Sequence, residues 1–345
     1  MIPIQNIYYM LSYAFQVLNE QGYKNIATEQ FNNTGELMAA ILEKGIAIQL
    51  KRGLGKEYIL QTEALSSLRG KIDIAESIKT QSMLRKQLIC TYDEFSVNSI
   101  MNRIIKSTVE ILLRSNISKQ RKKNLRKLMV YFSEVDFIDL YTVNWNVQYN
   151  RNNQTYRMLI SICYLVVKGL LQTQSNGHTE LMDFLDEQRM CRLYEKFILE
   201  YYRKEFKNQF TANASQIPWQ LDNEENSMLP VMQSDIMLQS GEKVLIIDAK
   251  YYEHSTQVQF DKHTLHSGNL YQIFTYVKNK EYELREKNHT VSGMLLYVKT
   301  DEEIYPNNVY QMSGNQITVR TLDLNLPFDE IAGQLNTIAK THFDL

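Results

Sequence analysis

The sequence predicts an α/β protein: a carboxy-terminal mixed sheet flanked by helices, preceded by an α+β domain with a small β-rich element. Three observations carry this. An amphipathic helical pattern opens the chain, and residues 46–74 alternate apolar and polar side chains around glycines. Third, "SDIMLQSGEKVLIIDAKYY" at 234–252 reads as a hairpin whose second strand, 244–247, is wholly apolar. With 345 residues and 44% hydrophobic content, the chain is long enough to bury the cores of two domains.

Taken in order, "IQNIYYMLSYAFQVL" places Ile4, Ile7, Met10, Leu11, Ala14 and Leu18 at helical spacing. Residues 46–74, punctuated by Gly53, Gly55 and Gly70, read as short strands and hairpin-like loops. Helices are predicted through "NSIMNRIIKSTVEILLRS" and then "SKQRKKNLRKLMVYF", where six basic residues fall between Lys119 and Lys127. The Asn-rich stretch "DLYTVNWNVQYNRNNQ" is the linker candidate, giving domains at 1–150 and 151–345. Beyond it the pattern predicts helices to about residue 207, the hairpin, a helix near Leu270 and the strand "SGMLLYVKT".

Thirty-eight basic against thirty-nine acidic residues give a net charge of −1, so nucleic acid would have to be met by a local patch. Cys90, Cys163 and Cys191 form no Cys-x-x-Cys pair and read as reduced, mostly buried thiols. The longest apolar stretch, 158–167, is far shorter than a bilayer span, and the amino terminus lacks a signal-peptide pattern. The expectation is a cytoplasmic chain with no membrane partner.

A hydrophobic strand that ends in Asp248-Ala249-Lys250 calls for an explanation. If residues 240–243 close the hairpin, Gln239 faces Val244 and Asp235 falls opposite Asp248, about 5 Å away on one face. Two such carboxylates repel unless a cation lies between them, and hard oxygen ligands suit magnesium, with manganese in its place. Lys250, two residues on, projects from the same face. Metal-assisted phosphodiester hydrolysis suits this trio: the cation activates water, and the ammonium orients it or stabilises the transition state. The bland alternative is a set of strand-end charges with a surface ion pair.

The order of elements resembles the PD-(D/E)xK nuclease superfamily. There a helix-borne Glu, a strand-borne Asp and an (Asp/Glu)-x-Lys share one site, often beside a Gln-x-x-x-Tyr helix. Here these match Glu195, with Glu200 as runner-up, then Asp235, Asp248 and Lys250, with Gln272 and Tyr276 on the following helix. Gln233-Ser234 stand where the motif usually has proline before its first Asp. "IPIQNIYYMLSYAF", "LRGKID", "NRIIKSTVEIL", "LPVMQSDI" with "VLIIDAKYY", and "NLYQ" together resemble the McrC family of nuclease subunits of McrBC modification-dependent restriction systems. The resemblance runs over nearly the whole chain. It implies magnesium-dependent cleavage of double-stranded DNA, and an amino-terminal part that docks on a hexameric McrB-like AAA+ GTPase ring and stimulates it. It assigns Asp235, Asp248, Lys250 and, less closely, Glu195 to catalysis, with Asp235 and Asp248 as metal ligands.

"KRGLGKEY" is no phosphate-binding loop, because Leu50 and Glu57 replace its first glycine and its hydroxyl residue, so GTP would be used by the partner. Reading of the modified base likewise falls to the partner subunit in this family. His263 and His266 near Asp261 favour a polar or DNA-facing loop over zinc. Lys51 and Arg52 read as a solvated tip or a positive group for the partner's nucleotide interface. The basic run at 119–127 reads as a solvated helix face or a phosphate-contact surface. Beside the active nuclease stand two other functions: an adaptor that stimulates the GTPase ring without cutting, and a standalone nuclease.

Overall fold

The computed structural model describes residues 2–15, 18, 23, 26, 29, 31–150, 153–170, 187–222, 228–252, 257–259, 262–300 and 305–345. Two compact units divide the chain: Phe31–Phe184, and Met1–Gln30 together with Leu185–Leu345. The boundary expected near residue 150 is therefore corrected at both ends.

Helix α1 (Ile4–Ala14) packs with the carboxy-terminal unit. The buried Asn6 amide donates to the carbonyls of Leu324 (2.7 Å) and Leu326 (2.8 Å), Tyr9 stacks on Phe328, and the Tyr13 hydroxyl donates to Glu205. These contacts satisfy polar groups that burial would otherwise leave unpaired, so the opening helix cannot belong to an independent amino-terminal domain.

In the unit at 31–184, helix α2 (Thr34–Arg52) begins where the Asn33 side chain accepts the Glu36 N–H. Its inward face, including Leu37, Met38, Ile41, Leu42, Ile46 and Gln49, follows helical spacing, so residues 46–52 are helix rather than the expected strand. Strands β1 (Glu57–Leu65) and β2 (Lys71–Asp73), helix α3 (Ile74–Lys79) and strand β3 (Leu88–Ser96) follow; the sheet order is β1-β3-β2, antiparallel throughout. Helices α4 (Ile100–Arg114) and α5 (Lys119–Met129) are capped by Ser99 and Ser118. Residues 143–150 have no regular structure, as a linker should, yet α6 (Tyr156–Leu170) returns to the same unit. Tyr156, 1% exposed, explains why: its hydroxyl donates to Asn102 Oδ1 and accepts the Gly55 N–H, both at 2.7 Å.

The other unit continues through α7 (Glu187–Glu205), β4 (Thr211–Asn213), β5 (Gln216–Ile217), β6 (Met232–Gln233), β7 (Ile236–Ser240), β8 (Lys243–Lys250), β9 (Gln257–Gln259) and β10 (Lys262–Thr264). It closes with α8 (Ser267–Glu283), β11 (Thr290–Val298), β12 (Asn308–Met312), β13 (Asn315–Leu322) and α9 (Phe328–Phe343). Six strands form one mixed sheet in the order β12-β13-β11-β8-β7-β4, with β8, β11 and β13 parallel and the remaining pairs antiparallel. Helices flank it, as expected; β12, β13 and α9 are elements that the sequence reading did not resolve.

Helix α8 crosses from β8 to the parallel β11 and packs Ile273, Tyr276 and Val277 on Val244, Ile246, Val291, Leu295 and Ile317. Gly293 on β11 permits the close approach. A Cβ there would lie 2.8 Å from Ile273 Cγ1 and Val277 Cγ2 and 2.9 Å from Ile317 Cδ1. Gly293→Ala is therefore expected to destabilise the chain by about 1–3 kcal/mol, read as a lower urea midpoint at unchanged slope.

Candidate active site

The hairpin has the expected register. Ile236 pairs with Ile247 and Gln239 with Val244, closed by a two-residue turn with Gly241 at φ +56°. Asp235, one residue before β7, therefore reaches across to β8, where its Oδ2 accepts the Ala249 N–H at 2.9 Å. Ser234, which stands where the motif usually has proline, is 1% exposed and donates its backbone N–H to the Ser215 carbonyl at 3.0 Å. Proline has no N–H to give, so serine anchors the turn into Asp235 by a bond that proline would lose.

Asp248 and Lys250 continue the face of β8 that carries Val244 and Ile246, the face beneath α8. Asp248 is 1% exposed, and neither carboxylate oxygen has a hydrogen-bond partner among the described residues. Lys250 Nζ forms an ion pair with Oδ2 at 2.9 Å. Burial pushes Asp248 up to about 7; Lys250 opposes that rise and the Asp235 charge adds to it. Burial works to lower Lys250, but the neighbouring Asp248 carboxylate prevails and holds it above its usual value.

The ammonium is also fixed from the other side. Lys250 Nζ donates to Gln272 Oε1 at 3.2 Å, and the Gln272 amide donates to the Tyr276 hydroxyl at 2.9 Å, one helical turn along α8. Sequence reasoning missed a second tether beside it: the Asn269 amide donates to the Tyr297 hydroxyl at 3.0 Å, and Tyr297 pairs with Lys250 in the β8–β11 register. Asn269 precedes Gln272 by three residues in "NLYQ", so helical spacing was the signal available.

Glu195 on α7 shares a cleft of about 410 Å³ with Asp235, Arg192, Lys196, Gln233 and Ser234. Burial first, and then the Asp235 charge, raise its pKa, and Cys191 Sγ donates to its Oε1 at 3.1 Å. The runner-up Glu200 instead pairs with Arg203 at 2.8 Å. Asp261 and the His263 side chain lie outside the described residues, and His266 stands at the amino-terminal cap of α8. Lys51 and Arg52 form the exposed last turn of α2. Cys90 and Cys163 are buried free thiols and Cys191 is half-buried.

The donor set fits a hard divalent cation. Asp248 offers two buried oxygens without hydrogen bonds, and Asp235 faces it across the hairpin. Among the described residues no three His, Cys, Asp or Glu side chains gather into a protein-only cage. Magnesium commonly binds through one or two carboxylates, with waters and substrate phosphate completing its shell.

The model of the McrBC 5-methylcytosine restriction system component family matches residues 5–298. The chain belongs to that family. This McrBC-family chain is 30% identical over 330 residues to the type IV methyl-directed restriction enzyme EcoKMcrBC of Escherichia coli K12, covering 94% of the chain and 93% of that relative. An assembly of Thermococcus gammatolerans McrB AAA+ hexamers with bound McrC aligns at 19% identity, 97% of this chain and 76% of that one, TM-score 0.48. The cryo-EM structure of the T. gammatolerans McrBC complex aligns at 23% identity and 59% of each chain, TM-score 0.42. No described helix of this McrBC-family chain is long and apolar enough to cross a membrane.

Proposed function

We propose that this chain is the DNA-cleaving subunit of a GTP-dependent restriction complex directed to modified cytosine, built on a PD-(D/E)xK site. The observation that carries the reading is Asp248: a buried carboxylate without a hydrogen bond, beside Asp235 and an ion-paired lysine that Gln272 holds in place. A carboxylate buried with only one ion pair to satisfy it is costly, and this arrangement has a use if a cation and a phosphate complete it. Asp235 and Asp248 would hold magnesium, or manganese in its place, which when bound activates water and neutralises charge on the scissile phosphate. Lys250 presents its ammonium to the developing negative charge, with Gln272 keeping it aimed. Glu195, whose pKa burial and the Asp235 charge raise from its ordinary value, is placed to take or hold a proton at the cleft.

The partner in this reading is a McrB-like AAA+ GTPase ring, and the unit at 31–184 docks on it. Its small sheet and the residues around it leave Tyr58, Leu60, Leu68, Ile78, Leu84 and Phe95 more than half exposed, an apolar surface suited to a protein partner. The test is cleavage of methylated and unmodified plasmid in magnesium, with and without the ring subunit and GTP. Cutting of methylated plasmid that needs both partner and GTP is expected; GTPase stimulation with no cutting would make the chain an adaptor. In the same assay Leu60→Glu with Leu84→Glu is expected to remove GTPase stimulation while leaving the fold intact, as read by circular dichroism.

A further inference from the structure

The charge of this chain is divided unevenly between its two units. Residues 31–184 carry 21 Lys and Arg against 14 Asp and Glu, a net +7, which leaves −8 for the rest of a chain whose total is −1. The unit that holds the candidate active site therefore carries the net negative charge, and the net positive charge belongs to the other unit.

Within that unit the charge is concentrated on one helix. Helix α5 holds six cations and no acid. Arg121 turns inward to Glu36 (3.4 Å) and Glu43 (2.9 Å), and Asn124 joins it on Glu43, which docks that face on α2. Lys119, Lys122, Lys123, Arg126 and Lys127 recur at i, i+3, i+4, i+7 and i+8, which defines the opposite stripe. All but the half-buried Lys122 are exposed, and none of the five has an ion-pair partner among the described residues.

This stripe opposes helix formation. Like charges one turn apart repel, and Lys119 and Lys122 stand in the first turn, where the helix dipole disfavours cations. No apolar side chain interrupts it, so it lacks the buried anchors on which protein interfaces rest. From Lys119 to Lys127 the cations span about 12 Å of helix, and duplex DNA presents a charge about every 1.7 Å of its axis.

We propose that this face of α5 is a sequence-independent track for the phosphate backbone of duplex DNA. The proposal rests on the reading that the chain acts on DNA, and it assigns the electrostatic grip to a different unit from the one that holds Asp248. Because grip and cutting are separate, the two readings can fail separately.

The test is salt-dependent binding of the full-length chain to an unmodified duplex of about 30 base pairs, in chelator so that nothing is cut. A variant carrying K119Q, K122Q, K123Q, R126Q and K127Q keeps helix propensity and retains Arg121. Its dissociation constant is expected to rise at least tenfold at about 50 mM salt, and the slope of log affinity against log salt to flatten by about 4–5, each contact contributing about 0.9. Two unrelated duplex sequences should give the same change. An unchanged slope overturns the proposal, and so does loss of ring binding and GTPase stimulation with DNA binding intact, which would make the stripe a protein-docking face. Should the fivefold variant fail to fold, Lys123→Gln and Lys127→Gln alone should each flatten the slope by about 0.9, and no change in either would overturn it.

Discussion

Asp248→Ala is expected to lower plasmid cleavage by about 10³-fold or more, because losing a ligand that stabilises the transition state through a cation removes several kcal/mol. Assembly with the ring subunit should be unaffected, since the side chain is buried inside the other unit. The isosteric Asp248→Asn extends the test to pH. Burial pushes Asp248 up to about 7, so between the unfolded carboxylate value of about 4 and that point the native chain holds a proton that the unfolded chain has released. Native stability in chelator should therefore fall as pH rises through that window and level off above it. Asparagine cannot ionise and should flatten the slope, leaving the part that Glu195, also raised, contributes. Magnesium affinity of the unsubstituted chain should rise over the same window, as proton and cation compete for one carboxylate. Wild-type cutting by either variant, or a pH slope unchanged in Asp248→Asn, would sink the assignment.

Lys250→Met is expected to reduce cleavage by about 10²–10³-fold while manganese binding persists or tightens. Methionine keeps the length of the side chain but removes the charge 2.9 Å from Asp248 that competes with a cation for its oxygens. Titration calorimetry with manganese beside the plasmid assay separates two roles. Loss of cutting with binding retained marks an ammonium used in the chemistry; loss of both would mean that Lys250 merely holds the carboxylates in place. Gln272→Leu should show a weaker version of the same pattern, because it frees the ammonium without deleting it.

The hairpin was legible because its register follows from period-2 alternation and a two-residue turn at Gly241, both local properties. Asp235 opposite Asp248 and Lys250 on their face follow from that arithmetic, and Gln272 one turn from Tyr276 follows from helical spacing. Glu195 was separated from Glu200 only by the fold, because both lie on α7 and tertiary packing decides which one enters the cleft. Residues 46–52 misled for a related reason: "IAIQL" alternates as a strand does, while the spacing that makes it helix lies upstream, between Asn33 and Ile46. The domain boundary failed because a linker-like loop need not separate domains when Tyr156 ties the next helix back to Gly55 and Asn102. The roles of Asn269 and Tyr297 depend on β11 lying beside β8, which no local pattern encodes.

The bonds from Asn6 to Leu324 and Leu326 also set an order of events at the ribosome. Helix α1 emerges first, but its partners are made last: at about 5–20 residues per second, residue 326 follows roughly 15–60 s later. Residues 31–184 are complete long before that and can fold during synthesis, whereas the unit bearing Asp235, Asp248 and Lys250 must wait for nearly the whole chain. A ribosome-bound chain thus has its basic helix and its apolar sheet in place while the unit with the candidate active site is still unfinished.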